Sequence, residues 1–239
     1  MDSAKIFAEM LKMKEAVIFS GAGMSTESGL QDFRSRTGLW ANVDPTVLAS
    51  IDALRNNYED FLSFYKARLM APEGVKPNVG HVLVAEWERD GYIKGLITQN
   101  VDRLHQAAGS VNVAELHGSL EPVRCFSCGK IAPKDDFIQG KKCSCGGRLR
   151  PSVVLFGEML PESEIRKAES WSSKCKLFVV LGSSLVVSPA NFFPQKAKYA
   201  GAKLVIVNNE ETPLDNIADL VVHEGIGNFL SEAQEYMKK

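Results

Sequence analysis

No stretch of this sequence approaches the roughly 20 consecutive apolar residues that carry a helix across a bilayer. Charge of neither sign is in excess either: 28 basic and 29 acidic residues leave a net charge of −1. A global field that would recruit nucleic acid or an anionic membrane is thereby excluded, and recognition must be local. The opening MDSAKIFAEMLKMKEAVIFSGAG scatters its charges. It lacks the apolar core and small-residue cleavage site of a secretory signal, so the expected location is cytoplasmic. Nothing suggests disorder. A chain of 239 residues with 45% hydrophobic content is ample for one large domain, or one carrying a small insertion.

Cysteine is sparse and unevenly placed. Four of the five fall in Cys125-Phe126-Ser127-Cys128 and Cys143-Ser144-Cys145, each pair near glycine. In a small secreted protein such pairs would suggest disulfides. In a chain without a signal sequence they have the spacing of a tetrahedral zinc knuckle. The second pair, C-x-C, tightens its turn without removing a ligand. Four thiolates leave the ion no open position, so the zinc is expected to be structural. Cys175, in a strand-like run, is expected in the core.

The chain turns on residues 97–118, ITQNVDRLHQAAGSVNVAELHG. An apolar run over 92–98 breaks into Gln99-Asn100-Val101-Asp102, and a second over 111–116 breaks into His117-Gly118. Polar groups therefore collect where two strands stop. In an open parallel sheet that edge is where ligands bind. Upstream, residues 5–13 read as a short amphipathic helix and AVIFS (16–20) as a buried strand. The strand runs into Gly21-Ala22-Gly23, a turn whose backbone N–H groups can approach a pyrophosphate or merely close tightly. The dinucleotide fingerprint of hydride-transferring enzymes fails, because Thr26 stands where its third glycine would fall and no ribose-binding acid closes a second strand downstream.

Residues 31–40 have the composition of either a lid over a ligand or a solvated loop. Residues 47–70 carry helical periodicity whose aromatic stripe, Tyr58, Phe61, Phe64 and Tyr65, is mostly core. A helix over 81–89 follows, with Asn78 as its cap. His81 and His105 lie in helical patterns and read as structural. Beyond the cysteines, RPSVVLFGE (150–158) reads as an apolar strand and 163–172 as a helix. LFVVL (177–181) is a strand ending in Gly182-Ser183-Ser184, and LVIV (204–207) one ending in Asn208-Asn209-Glu210. A last strand over 220–222 precedes a final helix. Strands alternating with helices predict an α/β fold, a doubly wound parallel sheet with the zinc module inserted into it.

Taken together, GAGMSTESGLQDFR (21–34), TQNVD (98–102), LHGS (116–119), the cysteine pairs, RPSVVLFGE, GSS (182–184) and VNN (207–209) resemble the sirtuins, NAD-dependent protein lysine deacylases, over nearly the whole chain. The resemblance implies a Rossmann-like domain over 1–118 and 151–239 with a helical module at about 40–75, and a zinc-binding insertion over 119–150 held by Cys125, Cys128, Cys143 and Cys145. It implies that Gly21, Ala22, Gly23 and Thr26 hold the NAD phosphates and that Asp32, Phe33 and Arg34 lie in a cofactor loop. Gln99, Asn100 and Asp102 would line the nicotinamide and ribose pocket, Asn100 and Asp102 sharing in catalysis. Gly182, Ser183, Ser184, Asn208, Asn209, Glu210 and Ile226 would hold the adenosine half, with His117 as general base. Val154, Phe156 and Phe33 would form an apolar tunnel for an acyl-lysine. Gly157, Glu158 and Val187 would pair with the substrate peptide.

Within this resemblance Tyr65-Lys66-Ala67-Arg68 matches the Tyr-x-x-Arg pair of sirtuins that remove succinyl and malonyl groups. Arg can grip a carboxylate through two bonds while a phenol adds a third. The other reading is two ordinary helix residues, and Asp32 departs from the Thr usual in that subclass. Three rival functions are weighed beside deacylation. A protein ADP-ribosyltransferase would share the NAD pocket but leave the tunnel without purpose. A zinc-ribbon nucleic-acid module would use Arg124, Lys130, Lys134, Lys141, Lys142, Arg148 and Arg150. A dehydrogenase is disfavoured by Thr26.

Overall fold

The computed structural model describes residues 2–33, 38, 44–72 and 74–239. Among the described residues nine strands run in chain order as β1 (Ala16–Ser20), β2 (Ile93–Thr98), β3 (Val113–Glu115), β4 (Gly118–Cys125), β5 (Ile131–Ala132), β6 (Leu149–Val153), β7 (Leu177–Leu181), β8 (Lys203–Val207) and β9 (Leu220–Val222). The α-helices are α1 (Ser3–Lys12), α2 (Pro45–Leu48), α3 (Ile51–Asn56), α4 (Tyr58–Met70), α5 (Val79–Arg89), α6 (Leu104–Ala107), α7 (Lys134–Ile138), α8 (Glu162–Ser172), α9 (Phe192–Tyr199) and α10 (Ile226–Met237).

Six strands form a parallel sheet in the order β3-β2-β1-β7-β8-β9. The order reverses between β1 and β7, which makes that junction the topological switch point of a Rossmann-like sheet. β1 and β7 are buried along their whole length, as a sheet covered on both faces requires. The pleat divides their side chains between two cores. Ala16, Ile18, Leu177, Val179, Leu181, Val205 and Val207 face α1, α5 and α10, where Phe7 packs against Trp87 and Phe229. Val17, Phe19, Phe178, Val180, Leu204 and Ile206 face α8 and α9. At Gly95 a Cβ would lie 2.5 Å from the Trp171 ring, so glycine there lets α8 settle on β2.

The first helix begins at Ser3 because Asp2 accepts from the N–H of Ala4 at 3.0 Å. Asn78 caps α5 as expected, and His81 completes a capping box with it. The helical periodicity over 47–70 resolves into three pieces. Ser50 leaves helical geometry to cap α3, and Asn57 interrupts before α4. Phe61 and Tyr65 are buried, whereas Tyr58 and Phe64 are half-buried.

One strand differs from expectation. The segment read as an apolar strand of the parallel sheet is split: β6 pairs antiparallel with β4 in a separate sheet of order β5-β4-β6, and the chain then leaves strand geometry. β6 runs across residue 150. It and β4 share a core with α3, α4 and α7, built on Leu54, Phe61, Leu120, Phe137 and Leu149. Arg148 donates to the carbonyls of Leu54 and Arg55 at the end of α3 and lies over the Tyr58 ring, while the Tyr58 hydroxyl donates to Leu149.

Candidate active site

The carboxyl ends of β1, β2, β7 and β8 open into a cavity of about 520 Å³. Its lining includes Ala22, Gly23, Thr26, Asp32 and Phe33 from the β1 turn, Gln99 and Asn100 after β2, and His117 after β3. Gly182, Ser183, Ser184, Asn208, Asn209, Glu210 and Ile226 close the opposite wall. Residues far apart in sequence are thus brought together at the switch point. Arg34 lies outside the described residues.

The glycines of the β1 turn act first as close-packing residues. A Cβ on Gly21 would lie 2.6 Å from the Gly182 carbonyl oxygen, and one on Gly23 2.8 Å from the Gly182 Cα. Gly182 itself has φ +64°, and its Cβ would meet the Met24 nitrogen at 2.3 Å. The N–H groups of Gly21 and Gly23 are already engaged, by Leu181 and Gly182. The N–H of Ala22 has no backbone acceptor among the described residues. Thr26 borders the cavity, with its hydroxyl donating to Gly23.

Gln99 connects three elements. Its Oε1 accepts from Ser183, its N–H donates to Ser20, and its carbonyl accepts from His117 Nδ1 at 3.1 Å. A carbonyl can only accept, so Nδ1 of His117 carries the proton and Nε2 keeps the lone pair. Asn100 directs Nδ2 to the Gly21 carbonyl and to Ser25 Oγ. Ser25 in turn donates to Asp102, whose other oxygen accepts from the Leu104 N–H at the start of α6. Asp102 thus stands behind the main cavity, bordering a smaller one shared with Ser25, Phe33 and Arg68. Ser25 was missed in the sequence because nothing in the glycine turn announces that its hydroxyl spans Asn100 and Asp102. Glu27 was missed likewise, since the N–H it accepts from belongs to Gly227, 200 residues away.

The other arm of the cavity is apolar. Val154, Phe156, Gly157 and Glu158 line it opposite Val187, with Leu120, Leu155 and Leu160 beside them. Phe156 is locked by backbone bonds in both directions, to Ala49 and Ile51. Glu158 is a structural partner before anything else. It receives both terminal nitrogens of Arg150, at 2.6 and 2.8 Å, and the N–H of Leu155. Its own N–H is taken by the Leu155 carbonyl.

Tyr65 and Arg68, one turn apart on α4, both line the cavity. Burial pushes the Tyr65 phenol well above its ordinary pKa, so it remains a neutral donor. Burial also works against the charge of Arg68, whose guanidinium lies 4.8 Å over the Phe33 ring. The Asp102 carboxylate, on the same small cavity, favours that charge, but no carboxylate lies within ion-pair distance of Arg68 among the described residues.

In the smaller sheet the sulfur atoms of Cys125, Cys128, Cys143 and Cys145 all lie within 4.8 Å of one another. Tetrahedral zinc–thiolate bonds place sulfurs about 3.8 Å apart. The pairs Cys125–Cys145 at 3.5 Å and Cys128–Cys143 at 3.7 Å fit that geometry. Backbone N–H groups favour the thiolate at two positions: the Cys128 N–H lowers Cys125, and the Cys145 N–H lowers Cys143 to about 6. This is the donor set of one structural zinc ion. No described helix is long and apolar enough to cross a membrane.

Comparison with known proteins agrees with this geometry. The Sir2 family model matches residues 21–189. An NAD-dependent protein deacetylase of Oceanobacillus iheyensis is 53% identical over 217 residues, covering 90% of this chain and 92% of that protein. NAD-dependent protein deacetylase 1 of Geobacillus kaustophilus is 53% identical over 227 residues, 94% of each chain. A solved Sir2 histidine variant with a deacetylated p53 peptide and 3′-O-acetyl-ADP-ribose has a TM-score of 0.92 at 40% identity, over 98% of both chains. With the strand order, the cysteine cluster and these matches in accord, the chain belongs to the Sir2 family.

Proposed function

We propose that the protein removes acyl groups from protein lysines with NAD as co-substrate, giving free lysine, nicotinamide and O-acyl-ADP-ribose. The observation that carries this reading is His117, oriented by the Gln99 carbonyl on the wall of one cavity that is lined both by the polar residues ending the strands and by the apolar Val154, Leu155 and Phe156. The deacetylase activity for which the relatives are named and the product-like complex of the Sir2 neighbour support it.

The polar arm holds NAD. Ala22 and Thr26 lie toward the phosphates, Ser184, Asn208, Asn209 and Glu210 toward the adenosine half, and Gln99 and Asn100 toward nicotinamide. In the apolar arm Phe33, Val154 and Phe156 surround the lysine stem and keep water from it. The acyl oxygen displaces nicotinamide at C1′ of its ribose, and His117 then takes the proton of a ribose hydroxyl as that hydroxyl oxygen attacks the imidate carbon; the lysine amine leaves as its C–N bond breaks, and one water adds to the acyl carbon to give the O-acyl-ADP-ribose. Keeping bulk water from C1′ until nicotinamide has been displaced favours this order over simple hydrolysis of NAD.

Acetyl-lysine is the first expected substrate. Arg68, which has no carboxylate within ion-pair distance among the described residues and Asp102 as its nearest acidic influence, lines the cavity wall with the Tyr65 phenol. That pairing supports carboxylate-ended acyl groups, succinyl or malonyl, as further substrates. The cytoplasmic location belongs to the same proposal. Direct nucleic-acid binding is disfavoured, since Lys134 pairs with Glu121 and Lys141 with Asp136 within the zinc module.

The test is mass spectrometry of acetyl-lysine and succinyl-lysine peptides incubated with and without NAD, with His117→Ala as control. NAD-dependent loss of an acyl group, absent in the control, is the expected result. A mass gain on the peptide would instead indicate ADP-ribosyl transfer, and NAD consumption with no change in either peptide would refute these two substrates.

A further inference from the structure

Behind the cavity wall lies a group of buried polar side chains to which no part of the proposed chemistry assigns a task. His81 and His105 are 0% and 1% exposed, and their ring centroids are 4.7 Å apart. Burial holds both imidazoles neutral, lowering His81 to about 4 and His105 well below its ordinary value. Each ring therefore has one N–H and one bare nitrogen.

The surrounding bonds assign which is which. The Asn78 N–H donates to His81 Nδ1, so the proton of His81 is on Nε2. Thr98 Oγ1 accepts from the Asn100 N–H at 3.0 Å and from Ser20 Oγ at 2.8 Å. Ser20 has then used its proton and must accept from His105 Nε2, at 2.9 Å. That leaves His105 Nδ1 as a bare acceptor. His81 Nε2 and His105 Nδ1 are both fully buried without a partner in the structure. One is a donor and the other an acceptor, on rings in contact. Two orphaned buried polar atoms of opposite need are costly apart and compatible together.

We infer that His81 Nε2–H reaches His105 Nδ1 through one trapped water, and that His105 is a positioning residue for Asn100. The hydrogen-bond chain then runs from the Asn78 cap of α5 through His81, His105, Ser20 and Thr98 to the backbone N–H of Asn100. Its far end fixes the Gln99-Asn100 dipeptide. There Gln99 orients His117, and Asn100 uses both Nδ2 protons on Gly21 and Ser25, leaving its amide oxygen as the group it offers a ligand. The role rests on the deacylase reading only for its kinetic assay.

Two measurements test it. In the first, steady-state nicotinamide release is measured on zinc-loaded His105→Leu, Thr98→Val and His105→Gln. Gln places an amide N–H where Nε2 was, whereas Leu fills the space without a donor. The expected result is a roughly tenfold fall in kcat for the Leu and Val variants with KM for NAD changed less than threefold, and recovery of most of that loss by Gln. Folded variants with the parent kcat, or a Gln variant as slow as Leu, would overturn the assignment. In the second, 15N NMR of histidine-labelled native protein reads the tautomers without any variant or any catalysis. His105 protonated at Nε2, with a hydrogen-bonded Nδ1, is expected. Protonation at Nδ1, or an Nδ1 shift of a bare unbonded nitrogen, would overturn the chain even if the protein released no nicotinamide at all.

Discussion

Removing Glu158 should destabilise the protein more than any exposed ion pair could. The Arg150 side chain is 1% exposed, and its guanidinium is satisfied by the two Glu158 oxygens and by the carbonyls of Val153 and Pro151. Truncating the carboxylate leaves a buried cation without its counter-charge, which costs on the order of 3–5 kcal/mol. Glu158 is 24% exposed, so water reaching the gap places the effect toward the lower end. At roughly 2–4 °C per kcal/mol for a chain of this length, Glu158→Ala should lower Tm by about 6–12 °C. Replacing both partners with apolar residues, Arg150→Met with Glu158→Leu, removes the stranded charge and should recover at least half the loss. Calorimetry of Arg150→Met, Glu158→Leu and the double variant forms the cycle, with Glu158→Ala measured beside it. A Tm for Glu158→Ala within 2 °C of the parent, or a double variant no better than the single, would refute the reasoning. Burial alone would raise the Glu158 carboxyl, but the Arg150 bonds hold it below its usual value. Its contribution is thus present at neutral pH and is lost as pH falls below the ordinary carboxylate range.

Three further outcomes are expected. Gly182→Ala forces a Cβ to 2.3 Å from the Met24 nitrogen at φ +64°, so it should separate the two glycine turns and weaken NAD affinity by tenfold or more in calorimetric titration. Arg68→Met should lower kcat/KM for a succinyl peptide about 10- to 100-fold, the worth of a charge-assisted contact to a carboxylate, with a much smaller change for acetyl; equal losses on both peptides would mean Arg68 reads no carboxylate. His81 and His105 are neutral when folded and protonate on unfolding. The unfolded chain therefore binds more protons below its histidine pKa of 6.5, and urea midpoints should fall steadily from pH 7 toward pH 4, the folded value of His81.

The parallel sheet was legible because β1, β7 and β8 are unbroken apolar runs, the mark of strands covered on both faces. β4 was not. GSLEPVRC has neither an apolar run nor strict alternation, and Pro122 lies within it, so only pairing with β6 defines it as a strand. Much of the site could be read from the polar residues that end strands, and Gln99, Asn100, His117, Ser183 and Asn208 do converge on one cavity. What remained hidden were the bonds between those residues. Glu158 was read for main-chain pairing with a peptide, and its side-chain partner, Arg150, is found only when the chain turns back on itself. His81 and His105 read as two separate core residues, and no spacing rule indicates that their rings touch.

Arg148 stands three residues beyond Cys145, and its guanidinium grips the carbonyl end of α3, just before the helix that bears Tyr65 and Arg68. The sulfur cluster is therefore a tent peg, with Arg148 as the guy line and the acyl-lining helix as the canvas. A protein stripped of its metal would keep the nucleotide wall on the parallel sheet, whereas His117, at the junction of β3 and β4 with its carbonyl bonded to Val154, stands on the seam with the zinc-bearing sheet.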